Sequence, residues 1–193
     1  MHSQLASYIK QEIPVSEQEL DMILGYFVPV SVHKNEILLN EGDVNSKIIF
    51  VCKGCLRIYF NQEDGQEATR YLAFENQFAT ALVSFISRQP SFEFIQALEP
   101  SDLLCITYDN FMRLLEMIPT WERFYRQYLE KAYVTNTNRL MSFTTMDAST
   151  RYEELLLQNA QVVERLPNRL VASYLNISQE TLSRIKGKKQ KSS

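Results

Sequence analysis

The sequence predicts an α+β fold: an antiparallel double-stranded β-roll of the jelly-roll type, a long helix, and a C-terminal helix-turn-helix. Three observations carry this prediction. From residue 29 to about residue 108, the apolar segments are short, rich in β-branched and aromatic residues, and bounded by turn residues. After residue 108 the apolar residues recur at helical spacing. Near the end, residues 166–186 combine two short helical patterns around a turn.

The N-terminal part of the chain predicts helix first and strands afterwards. Residues 3–27 carry apolar residues at helical spacing, interrupted by Pro14. The predicted strands are 28–32, 36–39, 47–51, 56–60, 69–74, 92–98 and 103–107. Gly42, Gly54 and Gly65 lie between strands and mark turns. A short helix within residues 78–89 interrupts the strands, so we expect a roll with one internal helix.

The second half of the chain predicts one long helix. Residues 109–118 form a short helix that ends at Pro119, and residues 121–144 form a longer one. Its apolar stripe contains Phe124, Tyr128, Leu129, Ala132, Tyr133, Asn136, Leu140 and Phe143. So wide a stripe favours a homodimer through the helix 121–144, although a helix packed only on its own domain is the alternative. The predicted domains are 1–118, 119–146 and 147–193.

Composition excludes several classes of protein. The 193 residues are 45% apolar, which suffices for one large or two small domains. We expect no membrane span and no signal sequence, because the chain has neither an 18-residue apolar run nor a basic-then-apolar N-terminus. Three cysteines, an odd number, favour a reducing cytoplasm. Residues 150–193 carry a net charge of +4, which leaves −7 for the rest, and this asymmetry fits a sensor joined to a nucleic-acid reader.

The segment 166–186 has the residues that a helix-turn-helix requires. Ala172 is small enough for a second helix to cross closely, and Asn176 suits a left-handed turn. Ser178 can cap the second helix, whose buried side contains Leu182 and Ile185. The residues expected to contact DNA are Ser178, Gln179, Glu180, Thr181, Ser183, Arg184, Lys186 and Lys188. An ordinary helical hairpin with a solvated outer face is the alternative, but the mixed hydrogen-bonding face and the lysine cluster ending at Lys191 favour double-stranded DNA.

Three segments in this order resemble the Crp/Fnr family of bacterial transcription regulators. They are Asn40–Asp43 (NEGD), Ile49–Tyr59 (IFVCKGCLRIY) and Ser178–Ile185 (SQETLSRI). The resemblance spans nearly the whole chain and implies a cyclic-nucleotide-binding-like roll, a dimerisation helix and a recognition helix. It also implies that Glu180 accepts from cytosine N4 and that Arg184 donates to guanine O6 and N7.

The resemblance fails at the family's phosphate cassette. Where the family has Gly-Glu-Leu at the start of the short helix, this chain has Ala79-Thr80-Ala81-Leu82, and Ser91-Phe92-Glu93 stands where Arg-Ser/Thr-Ala is expected. A cyclic nucleotide such as cAMP is therefore not expected, and an unknown, more apolar small-molecule effector is left open. The residues around such a pocket would be Phe78, Thr80, Ala81, Leu82, Arg88, Ser91 and Phe92.

No other site is predicted with comparable support. Cys52 and Cys55 flank a Lys53-Gly54 turn without further Cys or His ligands, so ordinary structural residues are favoured over a metal site or a thiol switch. No catalytic constellation is apparent, so we expect no enzyme, no cofactor and no metal. Two alternatives to the regulator stay open: a small-molecule-sensing roll with a vestigial DNA-binding unit, and a partner protein that pairs with a different regulator.

Overall fold

The computed structural model describes residues 1–190 and divides them into two compact units. The first unit contains Met1–Phe60 and Tyr71–Glu130. The second contains Asn61–Arg70 and the described residues from Lys131 onward. The predicted domain boundaries at residues 118 and 146 stay a prediction. The boundary between the two compact units instead falls within the long helix, between Glu130 and Lys131.

The first unit begins with two helices, α1 (His2–Glu12) and α2 (Glu17–Gly25). Eight strands follow: β1 (Val28–Val32), β2 (Ile37–Leu39), β3 (Lys47–Lys53), β4 (Leu56–Asn61), β5 (Glu67–Ala73), β6 (Phe78–Ala79), β7 (Phe94–Ala97) and β8 (Ser101–Thr107). A short helix, α3 (Leu82–Ser87), lies between β6 and β7 in the chain.

Six helices complete the described chain: α4 (Tyr108–Met117), α5 (Pro119–Thr145), α6 (Ala148–Gln158), α7 (Gln161–Arg165), α8 (Asn168–Leu175) and α9 (Gln179–Gln190). The predicted α+β roll followed by helices is confirmed. The two-residue strand β6 was not predicted, because so short a segment has no periodicity. The recognition helix was predicted to give way to a basic tail after residue 186, but α9 continues through Gln190. Lys191 of the predicted lysine cluster lies outside the described residues.

Two four-stranded antiparallel sheets form the roll, in the orders β1-β8-β3-β6 and β2-β7-β4-β5. Strand β3 shows how they are covered, because its side chains alternate between two apolar clusters. Ile48 and Phe50 pack with the helices, whereas Ile49 and Val51 pack in the roll interior. A strand covered on both faces reads as a continuous apolar run, which is what residues 48–52 show.

The turn between β3 and β4 carries the chain from one sheet to the other. Gly54 has a φ of +99°, and a Cβ atom there would collide with Ser101. Glycine is therefore required both for the left-handed backbone and for the close approach. Cys52 and Cys55 flank this turn and are buried, as structural residues would be.

The long helix α5 changes its surroundings along its length. Trp121 and Phe124 are buried in the core of the first unit, with their rings stacked 4.6 Å apart, and Tyr128 packs against Phe78. Beyond Glu130, in the second unit, Tyr133 and Leu140 are 74% and 67% exposed. The predicted apolar stripe thus has a covered half and an uncovered half.

Candidate nucleic-acid interface

Helices α8 and α9 form the predicted helix-turn-helix. The buried side of α8 consists of Leu170, Val171, Ala172 and Leu175, and Leu182 of α9 is fully buried. Between the helices, Asn176 has a φ of +53° and a ψ of +52°, which is the left-handed conformation predicted for it. Its amide donates to the carbonyl of Ser173 at 3.2 Å, and this hydrogen bond ends α8.

The side chain of Ser178 caps α9 as predicted. The amide of Thr181 donates to Ser178 Oγ at 3.2 Å, which satisfies one of the N–H groups that the first helical turn leaves without a partner. Arg184 Nη2 donates to Thr181 Oγ1 at 3.3 Å, so this arginine rests against its own helix. The start of α9 is therefore fixed by local interactions.

The outer face of α9 is polar and uncovered. Gln179, Glu180, Ser183, Arg184 and Lys188 are exposed, as is Ser178, while Thr181 and Lys186 are half-buried. Lys186 Nζ donates to Asn168 Oδ1 at 2.6 Å, which draws it toward the first residue of α8. The arrangement offers carboxylate, amide, hydroxyl and guanidinium groups on one helix face, the chemistry that reads base edges.

A groove of about 570 Å³ runs beside α9. Its walls are Thr181, Arg184, Ile185, Gly187 and Lys188 on one side, and Asp147, Ala148 and Ser149 on the other. Asp147 caps α6 by accepting from the amide of Thr150 at 2.8 Å, and these hydrogen bonds lower the pKa of its carboxyl group. The groove therefore places the ionised carboxylate of Asp147, which already accepts from the first amides of α6, near Arg184 and Lys188 of α9.

The residues predicted around an effector pocket are distributed between two apolar clusters and the surface. Phe78 packs in the helical core of the first unit against Phe50 and Phe124, away from the roll interior. Ala81 packs in the roll interior, Leu82 is half-buried, and Phe92 is 51% exposed.

The polar residues of that set are hydrogen-bonded to protein atoms. Asn45 Nδ2 donates to Thr80 Oγ1 at 2.7 Å, and Thr80 Oγ1 donates to the carbonyl of Lys47 at 3.0 Å. Ser91 Oγ donates to the carbonyl of Glu93 and accepts from its amide, both at 3.0 Å. The sequence analysis missed Asn45, which is 4% exposed and organises this region, because a lone asparagine after a turn gives no distinguishing signal.

Arg88, the cation predicted for the effector pocket, is already bonded to other groups of the first unit. Its Nη1 donates to the carbonyl of Asn45 at 2.7 Å, and its guanidinium lies 4.0 Å from the ring centroid of Tyr108. Its backbone has a φ of +58° and ends α3. A guanidinium held this way has little freedom to form the two-pronged contact that a phosphate prefers.

Cys52, Cys55 and Cys105 are free and buried, and burial raises the pKa of Cys105 to about 11 and that of Cys52 in the same direction. These two thiols are therefore protonated at neutral pH and poor nucleophiles.

Within residues 1–190, no three His, Cys, Asp or Glu side chains converge as metal ligands. None of the described helices is long and apolar enough to span a bilayer.

Comparison with known proteins agrees with this architecture. Residues 29–117 match the cyclic nucleotide-binding domain family. FixK2 from Bradyrhizobium japonicum superposes with a TM-score of 0.75 at 14% identity, covering 86% of this chain and 85% of FixK2. The c-di-GMP-responsive global regulator CLP of Xanthomonas campestris superposes with a TM-score of 0.73 at 16% identity, covering 92% and 93%.

A third structure, from Eubacterium rectale and assigned to the Crp/Fnr family of transcriptional regulators, gives a TM-score of 0.67 at 18% identity, covering 89% and 82%. None of the curated protein sequences compared with this chain matches it. The fold of the described chain is therefore a roll of the cyclic nucleotide-binding type joined to a helix-turn-helix. Residues 29–117 are similar to the cyclic nucleotide-binding domain family, and the described chain has the fold of the Crp/Fnr transcription regulators that its sequence motifs resemble.

Proposed function

We propose that this protein is a homodimeric, DNA-binding transcription regulator of the Crp/Fnr type that acts in the cytoplasm and performs no enzymatic reaction. The observation that carries the proposal is the uncovered polar face of α9 on a helix whose other side is anchored by the buried Leu182. A helix presented in this way is what a helix-turn-helix inserts into the major groove.

The residues of α9 divide into two roles under this proposal. Gln179, Glu180, Ser183 and Arg184 face the bases, with Glu180 accepting from cytosine and Arg184 donating to guanine. Phosphates are contacted by Ser178, Thr181, Lys186 and Lys188. Lys186 already donates to Asn168, and its ammonium group has further N–H donors with which to contact a phosphate.

The second half of α5 supplies the dimer interface. Tyr133, Val134, Leu140 and Met141 are all more than half exposed. Leu140 and Met141 follow Tyr133 and Val134 by seven residues, which is about two helical turns, so the four side chains form one apolar stripe on the helix. A second copy of the same helix would cover this stripe with the two-fold symmetry common among soluble homodimers.

The roll holds no cyclic nucleotide in the proposed function, and the protein does not respond to cAMP. The support is local: Thr80, Ser91 and Arg88 are committed to protein partners, and the 2% exposed Glu93 puts a buried carboxylate where the family's cassette sequence has alanine. The proposal includes no other small-molecule effector of the roll. Calorimetric titration of the full chain with cAMP tests this part, and saturable heat would contradict it.

Selection of bound duplexes from a random oligonucleotide pool tests the DNA-binding proposal. We expect enrichment of a two-fold symmetric site whose half-sites lie about one helical turn, roughly 34 Å, apart. Enrichment of an asymmetric site would contradict the dimer. No enrichment at low salt would remove DNA binding and favour a sensing module with a vestigial reader.

Light scattering of two matched variants tests the interface independently of DNA. Leu140→Glu introduces a charge into the apolar stripe and is expected to yield a monomer. Thr135→Glu introduces the same charge at an exposed position at least 100° around α5 from each stripe residue, and should leave the dimer intact. If both variants behave as wild type, the stripe is not the interface.

A further inference from the structure

The second unit contains a cleft that the proposed function does not use. It has a volume of about 230 Å³ and lies between α5, α6 and α8. Arg139, Ser142 and Phe143 line it from α5, and Arg151 and Glu154 from α6. Two arginines and one carboxylate therefore face a small open space.

Arg139 enters the cleft with little compensation for its charge. Its Nη2 donates to the carbonyl oxygens of Thr69, at 3.0 Å, and Tyr174. Its guanidinium lies 4.0 Å from the ring centroid of Tyr174 and 4.9 Å from that of Phe143. All of these partners are neutral groups.

Arg151 is held in a similar way, with its guanidinium 5.7 Å from the ring centroid of Phe143. Its Nε donates to the carbonyl of Leu175 at 3.3 Å, and its Nη1 donates to that of Met146 at 2.6 Å. Its charge contributes to the lowered pKa of Asp147, but hydrogen bonds from the start of α6 contribute more. Among residues 1–190, neither Arg139 nor Arg151 forms an ion pair.

A structural role accounts for part of this arrangement. Arg139 and Arg151 reach carbonyls in the last turn of α8, where a cation is favourable. That role leaves Arg139 Nε and Nη1, and Arg151 Nη2, without an acceptor among the described residues, beside an unfilled cleft. Burial lowers the pKa of Arg139, and the charges of Arg70 and Arg151 lower it further, so positive charge is concentrated around this guanidinium.

We propose that this cleft binds a small anion, with a phosphate, sulfate or carboxylate group accepting from the remaining N–H donors of Arg139 and Arg151. Guanidinium groups match these oxyanions in geometry as well as in charge. The volume of about 230 Å³ lies below the range of roughly 300–1,000 Å³ that drug-sized ligands occupy. The ligand is therefore an inorganic oxyanion or a small organic acid.

The cleft stays accessible in the proposed dimer. Successive residues of a helix are rotated by about 100°, so Arg139 and Ser142 lie on the side of α5 away from Leu140 and Met141. A second copy that covers the apolar stripe would leave the cleft open. Because Arg139 and Arg151 hold the end of α8, an anion bound to them would act on the first helix of the helix-turn-helix.

Titration of the full chain with sodium phosphate, sodium sulfate and sodium acetate, against sodium chloride at equal ionic strength, tests the proposal. We expect saturable heat with at least one of the three oxyanions and none with chloride. Absence of saturable heat with all three would overturn it. The measurement involves no DNA, so its outcome is independent of the proposed function.

Two neighbouring variants locate the binding. Glu154→Gln removes the carboxylate that opposes an anion in the cleft and should raise the affinity roughly three- to tenfold. Glu153→Gln makes the same change in net charge on an exposed position outside the cleft and should leave the affinity unchanged. A misfolded variant cannot produce a gain in affinity. Equal behaviour of the two variants would overturn the proposal.

A second pair separates the cleft from the candidate DNA interface. Arg139→Lys keeps the charge but loses the planar guanidinium. It should weaken anion binding at least fivefold, because an ammonium group cannot donate two parallel hydrogen bonds to one oxyanion. Arg184→Ala removes a cation from α9 and should leave anion binding unchanged. The reverse pattern would place the anion on α9 and contradict the cleft.

Discussion

The two regions in which the sequence predicted a ligand use their polar side chains in opposite ways. Around α3, Thr80, Ser91 and Arg88 all bond to protein atoms of the roll. On α9, Glu180 and Arg184 are exposed. The residue type at a motif position therefore does not decide whether a ligand binds, because neighbours from elsewhere in the chain can already occupy the same groups.

The largest effect is expected on α9, where Arg184→Ala should weaken specific DNA binding by about 1–3 kcal/mol and relax the preference at one base position. The reason is the loss of a two-pronged contact to guanine. Competition binding to the selected duplex and to single-base variants measures it. The control is Arg126→Ala, which removes an exposed arginine from the first unit. An equal loss on every duplex would mean that Arg184 contacts phosphate only.

A comparable effect on stability, with no effect on DNA affinity, is expected in the roll. Asn45→Ala should lower the free energy of unfolding by about 2 kcal/mol, because it leaves buried groups around Thr80 without their partner. Denaturant unfolding checks this. Asn40→Ala, at an exposed turn, is the matched control and should change stability little. A roll that tolerated Asn45→Ala unchanged would weaken the contrast between the two regions.

A smaller effect separates the two serines of α9. Ser178→Ala should lower the free energy of unfolding by about 1 kcal/mol through loss of the helix cap. Ser183→Ala, on the exposed face, should leave it unchanged. Thermal unfolding without DNA compares them. Equal destabilisation would show that Ser183 is structural and not part of a reading surface.

The smallest effect concerns a polar group in the first unit. Burial raises the pKa of Tyr8 to about 12 from its usual value of 10, with Glu12 contributing. The raised value means that the fold favours the neutral phenol, so this contribution is complete below pH 10 and is lost as the pH rises toward 12. The free energy of unfolding of Tyr8→Phe should therefore fall less than that of the wild type between pH 10 and 12. The difference should be under about 1 kcal/mol, because Tyr8 is only half-buried. Parallel unfolding curves at pH 9 and 11 measure the difference. A larger loss in the variant would contradict the sign.

Most of the fold was predictable because its signals are local. Short β-branched segments between glycine turns gave seven strands close to their observed positions, since strand formation and a left-handed glycine depend on neighbouring residues in the chain. The same holds for Asn176 and Ser178, whose turn and cap are formed by atoms within three residues. The DNA-binding face proposed for α9 was predictable for the same reason, because the apolar side of a helix identifies the opposite, exposed side.

The remaining features could not be predicted, because they depend on residues far apart in the sequence. Phe78 was grouped with the effector pocket, but it packs against Phe124, 46 positions further on. Arg139 was not singled out, and only the fold brings it to the carbonyl of Tyr174. The predicted apolar stripe of residues 121–144 gave no sign that its first half would be covered by the helical core of the first unit.

The sequence by itself determined the order of elements, the turns and the polar face of the last helix, since each depends on the conformational preferences of a few adjacent residues. Only the tertiary structure decided which polar groups are free. The free energy of a buried hydrogen bond or charge depends on the atoms that surround it, and those atoms are supplied by distant segments. That is why Arg88 is confined to the roll while Arg139 and Arg151 border an open cleft.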